Sequence, residues 1–193
     1  MQTVPEVLKR YGIDDLTEAD IAEDLDRDFQ RLPGPDATPL TEAEIAYLRA
    51  HGGEAAEEAL TAWDARTERG RRAGAIARDS NAVTAESLSL DQTADLLGVD
   101  RSRISHRLSA QALYAITIGS RRRVPAWQFR AGAELPGLSA IVPSIPVRAH
   151  PLDVQALMTT PQDELGGRTP VEHLLSGGAP PQVVELLADL ERW

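Results

Sequence analysis

The run Leu88-Ser89-Leu90-Asp91-Gln92-Thr93-Ala94-Asp95-Leu96-Leu97-Gly98-Val99-Asp100-Arg101-Ser102-Arg103-Ile104 decides how this chain is read. Ser89 and Gln92 have the spacing of a capping box, in which each side chain satisfies a free amide at a helix start. Leu90, Ala94 and Leu97 follow at i, i+4 and i+7, so the helix buries one face. Gly98 stops it, since glycine enters the left-handed region at little cost. Val99 plugs the space between helices, Asp100 caps a second helix, and Ile104 and Leu108 face inward on it. The outward face of that second helix carries Arg101, Ser102, Arg103, Ser105, His106 and Arg107, a set rich in donors for base edges and phosphates.

Downstream, Tyr114-Ala115-Ile116-Thr117-Ile118 is a β-branched strand, Gly119-Ser120 a turn, and Arg121-Arg122-Arg123-Val124-Pro125 the return strand. A two-residue turn pairs Ile116 with Arg123; a three-residue loop pairs it with Val124, which suits a half-buried hairpin better. In either register Arg121, Arg122 and Arg123 are expected near a hairpin tip, in reach of phosphates or a narrow minor groove. The bland reading is a solvated turn.

These residues resemble the excisionase or MerR-like winged helix-turn-helix family, from Leu88 through the Gly119-to-Pro125 wing to Trp127 and Phe129, which fall where that family starts a packing helix. The resemblance implies sequence-specific binding of double-stranded DNA. It places Arg101, Arg103 and Arg107 at the major groove and the wing arginines on the backbone.

A net charge of −10 over 193 residues opposes that reading until it is mapped along the chain. Residues 1–60 hold 15 acids and 5 bases, residues 100–130 hold 1 acid and 7 arginines, and residues 131–193 hold 8 acids and 3 bases. Affinity for phosphate depends on charge within a Debye length, so a short basic module suffices. The absence of cysteine excludes disulfides and thiolate metal sites. With no signal sequence and no apolar run of membrane-spanning length, a soluble cytoplasmic protein without membrane contact is expected.

The expected fold class is mainly α: an acidic helical region over 1–80, a winged helix-turn-helix with a small β-hairpin over 86–131, a Pro-containing connector over 132–150, and a small helical domain over 151–193. In the first region Thr17 to Asp20 and Thr41 to Glu44 have capping-box spacing. Pro33-Gly34-Pro35 separates the two helices, and His51-Gly52-Gly53 ends the second. An Ala-rich helix with Leu60, Trp63 and Ile76 runs from Glu54 to about Arg78, either packed on its neighbours or serving a dimer. Asp79-Ser80-Asn81 reads as a linker.

Beyond the prolines 136, 143, 146 and 151, Leu152 to Met158 is a short helix. Thr169-Pro170-Val171-Glu172 is a strong helix start, Gly177-Gly178 a stop, and Pro180-Pro181 opens an apolar last helix. The run Leu157 to Leu175, with its Leu165-Gly166-Gly167-Arg168-Thr169-Pro170 centre, resembles the toxin-binding domain of the Xre/MbcA/ParS antitoxins. That likeness implies a cognate toxin as partner, of the RES-domain, NAD-consuming kind, held by Leu165, Gly166, Gly167, Arg168, Thr169, Leu187, Leu190 and Trp193.

No phosphate loop, dinucleotide fingerprint, nucleophile elbow or zinc-protease motif is present, so no catalysis, cofactor or metal is expected. His51, His150 and His173 read as ordinary solvated positions, while His106 lies on the presumed recognition helix. The resulting expectation is an antitoxin of a type II toxin-antitoxin system, a homodimer that represses its own promoter and neutralises a toxin. The alternative is a stand-alone transcriptional regulator whose C-terminal domain only dimerises.

Overall fold

The computed structural model describes residues 3–30, 40–53, 56–57, 60 and 65–190, without the side chains of 65–69. Pro33-Gly34-Pro35, Trp63 and Trp193 lie outside the described residues. The chain is mainly α-helical with a small antiparallel sheet. It divides into two compact units, one made of Met1–Glu23 with Ser80–Trp193 and the other of Asp24–Asp79.

Near the N-terminus lie α1 (Val4–Arg10) and α2 (Glu18–Phe29). The start of α2 is set as its sequence requires, with Thr17 Oγ1 accepting from the Asp20 amide at 3.2 Å and the Asp20 carboxylate accepting from the Thr17 amide at 3.0 Å. The next helices are α3 (Glu42–His51), which opens on the Thr41–Glu44 capping box and closes at Gly52, and α4 (Ala65–Ala85). Asp79, Ser80 and Asn81, expected as a linker, are helical residues of α4, and the chain turns only at Glu86. In the 24–79 unit Arg27 pairs with Asp24, Arg49 with Glu57, and the Tyr47 ring stacks on His51.

From Ser87 the chain forms β1 (Ser87–Ser89), α5 (Leu90–Leu97), α6 (Arg101–Ser109), β2 (Ile116–Ile118) and β3 (Arg121–Pro125). β3 is the central strand, antiparallel to both β1 and β2. Ile116 pairs with Arg123 and Ile118 with Arg121, so the hairpin takes the two-residue turn. Gly119 has φ +55 while Ser120 does not enter positive φ, the pattern of a type II′ turn.

Both faces of this sheet carry buried residues, though Thr117 and Arg122 at the hairpin end stay exposed. Val124 and its cross-strand neighbour Leu88 belong to the main core, with Ala94, Ile104, Trp127 and Phe129. Ile116 and Ile118 point the other way, into a second cluster with Ile13, Leu16 and Val83. The first 23 residues thus complete the winged module by burying the face of its sheet that a free-standing wing exposes to water.

After β3, a 3₁₀ turn (Ala126–Gln128) holds Trp127, so the expected packing helix is reduced to a single turn. Gln128 is fully buried, and its side-chain amide pairs with both backbone groups of Tyr114 at 2.7 and 2.8 Å. Next comes β4 (Phe129–Arg130), and the expected connector over 132–150 contributes its partner β5 (Ala133–Glu134) and the short helix α7 (Leu138–Ile141). Three helices follow: α8 (Pro151–Thr159), α9 (Pro170–Leu175) and α10 (Pro180–Asp189). Their buried residues Val154, Met158, Leu174, Val183 and Leu187 join the same core as the helix-turn-helix. The compact units follow a different division from the boundaries read from sequence, with residues of 86–131 and of 151–190 sharing one interior.

Candidate nucleic-acid interface

The two helices of the helix-turn-helix start and stop where the sequence places them, although Asp100, at the N-cap of the second, makes no side-chain capping bond. Ser89 and Gln92 exchange both capping-box bonds, at 3.1 and 2.8 Å. Gly98 caps α5 at φ +62, where a side chain would be strained, and three residues later α6 begins behind Asp100. Ile104 is wholly buried, and Leu97, Val99 and Leu108 pack against the core. What remains outward on α6 is Arg101, Ser102, Arg103 and His106, all exposed, with Ser105 and Arg107 half-buried.

The three α6 arginines differ in how committed they are. Arg101 meets Asp91 at 2.6 Å, but both side chains are about 60% exposed, and such pairs contribute roughly 0–1 kcal/mol. It can exchange that partner for a phosphate at little cost. Arg103 borders a shallow depression lined by Ala94, Asp95, Gly98, Val99 and Asp100. Arg107 pairs with Glu134 on β5, a half-buried pair that links the small β4–β5 hairpin to α6.

The wing departs from expectation at one residue. Arg121 and Arg122 are exposed, but Arg123 is 0% exposed and takes no part in any surface. The two-residue turn places it beside Ile116, on the face covered by the N-terminal segment. Its guanidinium is satisfied there by the Ser87 hydroxyl at 2.8 Å, the Ser87 carbonyl at 2.6 Å and the Asp15 carboxylate. Arg123 is a buried structural cation, not a phosphate contact, because a buried charge persists only when paired and hydrogen-bonded.

Asp20, which the sequence marked only as a helix cap, lies at the wing tip. Its Oδ1 accepts from the Ser120 amide at 2.9 Å and the Ser120 hydroxyl at 2.8 Å, and its Oδ2 from Thr17. The bond from the Ser120 amide, then those from Thr17, hold its carboxyl far below the usual carboxylate range. The turn approaches so closely that a Cβ on Gly119 would lie 2.4 Å from the Asp20 Cα. Neither Asp15 nor Asp20 carries a sequence signal for these contacts, since their partners are 108 and 100 residues away.

The residues expected to hold a toxin fall into two groups. Leu165 and Leu187 are buried in the core, 2% and 0% exposed, and offer no surface; Leu190 is half-buried against the same core. Gly166 and Gly167 are exposed, with φ +67 and +76, in a tight loop closed by the Gln162–Arg168 bridge. Arg168 braces that loop by donating to the Leu165 carbonyl and to the Ser176 hydroxyl, and Thr169 caps α9 through its box with Glu172. The motif thus has an internal purpose, joining a glycine turn to both ends of a short helix.

His173 is buried rather than solvated, and its ring is walled by Gly178. Its Nε2 faces the Ala179 carbonyl at 3.3 Å and its Nδ1 the Arg168 guanidinium at 3.4 Å, an arrangement that suits the tautomer with the proton on Nε2. His150 is the N-cap of α8, its Nδ1 accepting from the Leu152 amide. Among the described residues no helix is long and apolar enough to cross a membrane, and no group of His, Asp and Glu could hold a metal ion. Compared with protein-family models, curated proteins and solved structures, the chain matches none.

Proposed function

We propose that this protein is a DNA-binding regulator that contacts duplex DNA through α6, with Arg121 and Arg122 of the wing beside it. The observation that carries the reading is the exposed face of Arg101, Arg103 and His106 on the second helix of a helix-turn-helix whose first helix is closed by a capping box and a left-handed glycine. Hydrogen-bond donors on such a helix read base edges in the major groove, while neighbouring arginines fix the register on phosphates. The resemblance of residues 88–129 to winged helix-turn-helix proteins supports the same function.

Within that reading, the likeness of residues 157–175 to antitoxins supports autorepression coupled to capture of a toxin, an NAD-consuming enzyme of the RES kind. The surface left for it is the Gly166–Arg168 loop with exposed Leu175. The stand-alone regulator is the second reading. It is favoured by the burial of Val183 and Leu187 in the shared core, which uses the apolar face of the last helix internally.

The test is binding of the full chain to the duplex upstream of its own gene at several salt concentrations. Steep salt dependence is expected, with log affinity falling, for each tenfold rise in salt, by about 0.9 per phosphate neutralised. A flat response or no binding overturns the proposal. Coexpression with the neighbouring reading frame separates the two readings: relief of that frame's growth arrest supports the antitoxin, and a harmless neighbour supports the stand-alone regulator.

A further inference from the structure

The wing tip offers two donors of the kind that position phosphates, a turn amide and a hydroxyl, both on Ser120. Both converge on one oxygen of the Asp20 carboxylate. The segment that delivers Asp20 is anchored independently, by Ile13 and Leu16 in the second apolar cluster and by the Asp15–Arg123 pair. Glu18 and Glu23 stand on the same helix as Asp20 and add to the negative field there. A DNA strand approaching this hairpin meets a carboxylate already seated where a phosphate oxygen would bind.

We infer that the N-terminal segment is an intramolecular restraint on DNA binding, with the Asp20 carboxylate occupying the phosphate position at the Ser120 turn. The inference rests on the DNA-binding reading and adds a built-in limit to it. The α6 face stays open, so the chain binds DNA through that helix, while the wing turn contributes only when Asp20 is displaced. The bonds from Ser120 and Thr17 hold the Asp20 carboxyl far below the usual carboxylate range, so the contact yields to competition from the phosphate rather than to mild acidification. Arg123 and Asp15 hold the rest of the segment in place, which keeps the effect local to the turn.

The experiment is DNA binding by the full chain carrying Asp20→Asn, a near-isosteric change that removes the charge but leaves an acceptor for Thr17. The duplex upstream of the gene serves as the probe, across a salt series. We expect several-fold tighter binding at low salt and a log–log salt slope steeper by about 1, the signature of one further phosphate contact. Asp20→Ala should move both readouts the same way, and thermal unfolding of each variant establishes that it is folded. Unchanged or weaker binding by folded Asp20→Asn overturns the inference and makes Asp20 a brace for the wing. If wild type and variant both fail to bind any duplex, the DNA-binding reading itself falls. If both bind equally, only the restraint does.

Discussion

Helix α6 and the wing each carry three arginines, and the fold treats the two sets differently. On α6 the arginines form a series of increasing commitment, from Arg103 through the exposed Arg101–Asp91 pair to Arg107 beside Glu134. On the wing the division is sharp: Arg121 and Arg122 are outside, Arg123 is inside, and the turn before them is closed by an acid from the N-terminal segment. Positive charge in sequence becomes positive surface only where no distant acid claims it. In this chain the acid-rich N-terminus claims the wing and leaves the helix.

Breaking the pair that separates Arg123 from its neighbours should have the largest effect. Asp15→Ala leaves a buried guanidinium with only Ser87 for company and is expected to cost about 3 kcal/mol, toward the low end for a severed buried pair because Asp15 is itself partly exposed. Urea unfolding measures it. A loss below 0.5 kcal/mol would mean that Arg123 is not held as described.

On the helix side, Arg103→Ala is expected to lose about 1–3 kcal/mol of discrimination between the cognate duplex and one altered at the contacted base. Arg122→Ala should instead weaken all duplexes alike and lower the salt slope by about 1. Competition binding with cognate and scrambled duplexes compares the two. Equal profiles would erase the distinction between helix and wing.

The smallest effect concerns pH. Asp20 is held well below its ordinary value in the folded chain, so the folded state releases this proton more readily than the unfolded chain does. Its contribution to stability is full above the unfolded carboxylate value near 4 and fades as pH falls through the folded value. The acid limb of the unfolding midpoint should therefore flatten in Asp20→Asn relative to wild type; superimposable limbs would exclude Asp20 from that linkage.

The helix-turn-helix was legible from residues 88–108 because every device in it is local: a capping box spanning three residues, an apolar repeat within one helix, and a left-handed glycine. The C-terminal starts at Pro170 and Pro180 were legible for the same reason, whereas Pro151, counted with the connector prolines, is the first residue of α8. The wing was misjudged at Arg123 because the two-residue turn sets it on the inner face beside Ile116, while Thr117 and Arg122 take the outer one. Ile13 and Leu16, the residues that cover that inner face, sit among acids about 100 positions upstream, where no periodicity links them to Ile116 and Ile118. Leu165 and Leu187 were misread in the opposite sense. An apolar residue beside a surface motif is equally consistent with a core position, and only the shared interior with the helix-turn-helix decides it.

Arginine-selective modification by phenylglyoxal, read residue by residue by mass spectrometry with and without the upstream duplex, tests the central claim most directly. Arg103, Arg121 and Arg122 should react in the free protein, and DNA should protect Arg103 most strongly, while Arg123 stays unreactive throughout. An Arg123 that reacts like its two neighbours, or an Arg103 that the duplex leaves unprotected, would contradict the account.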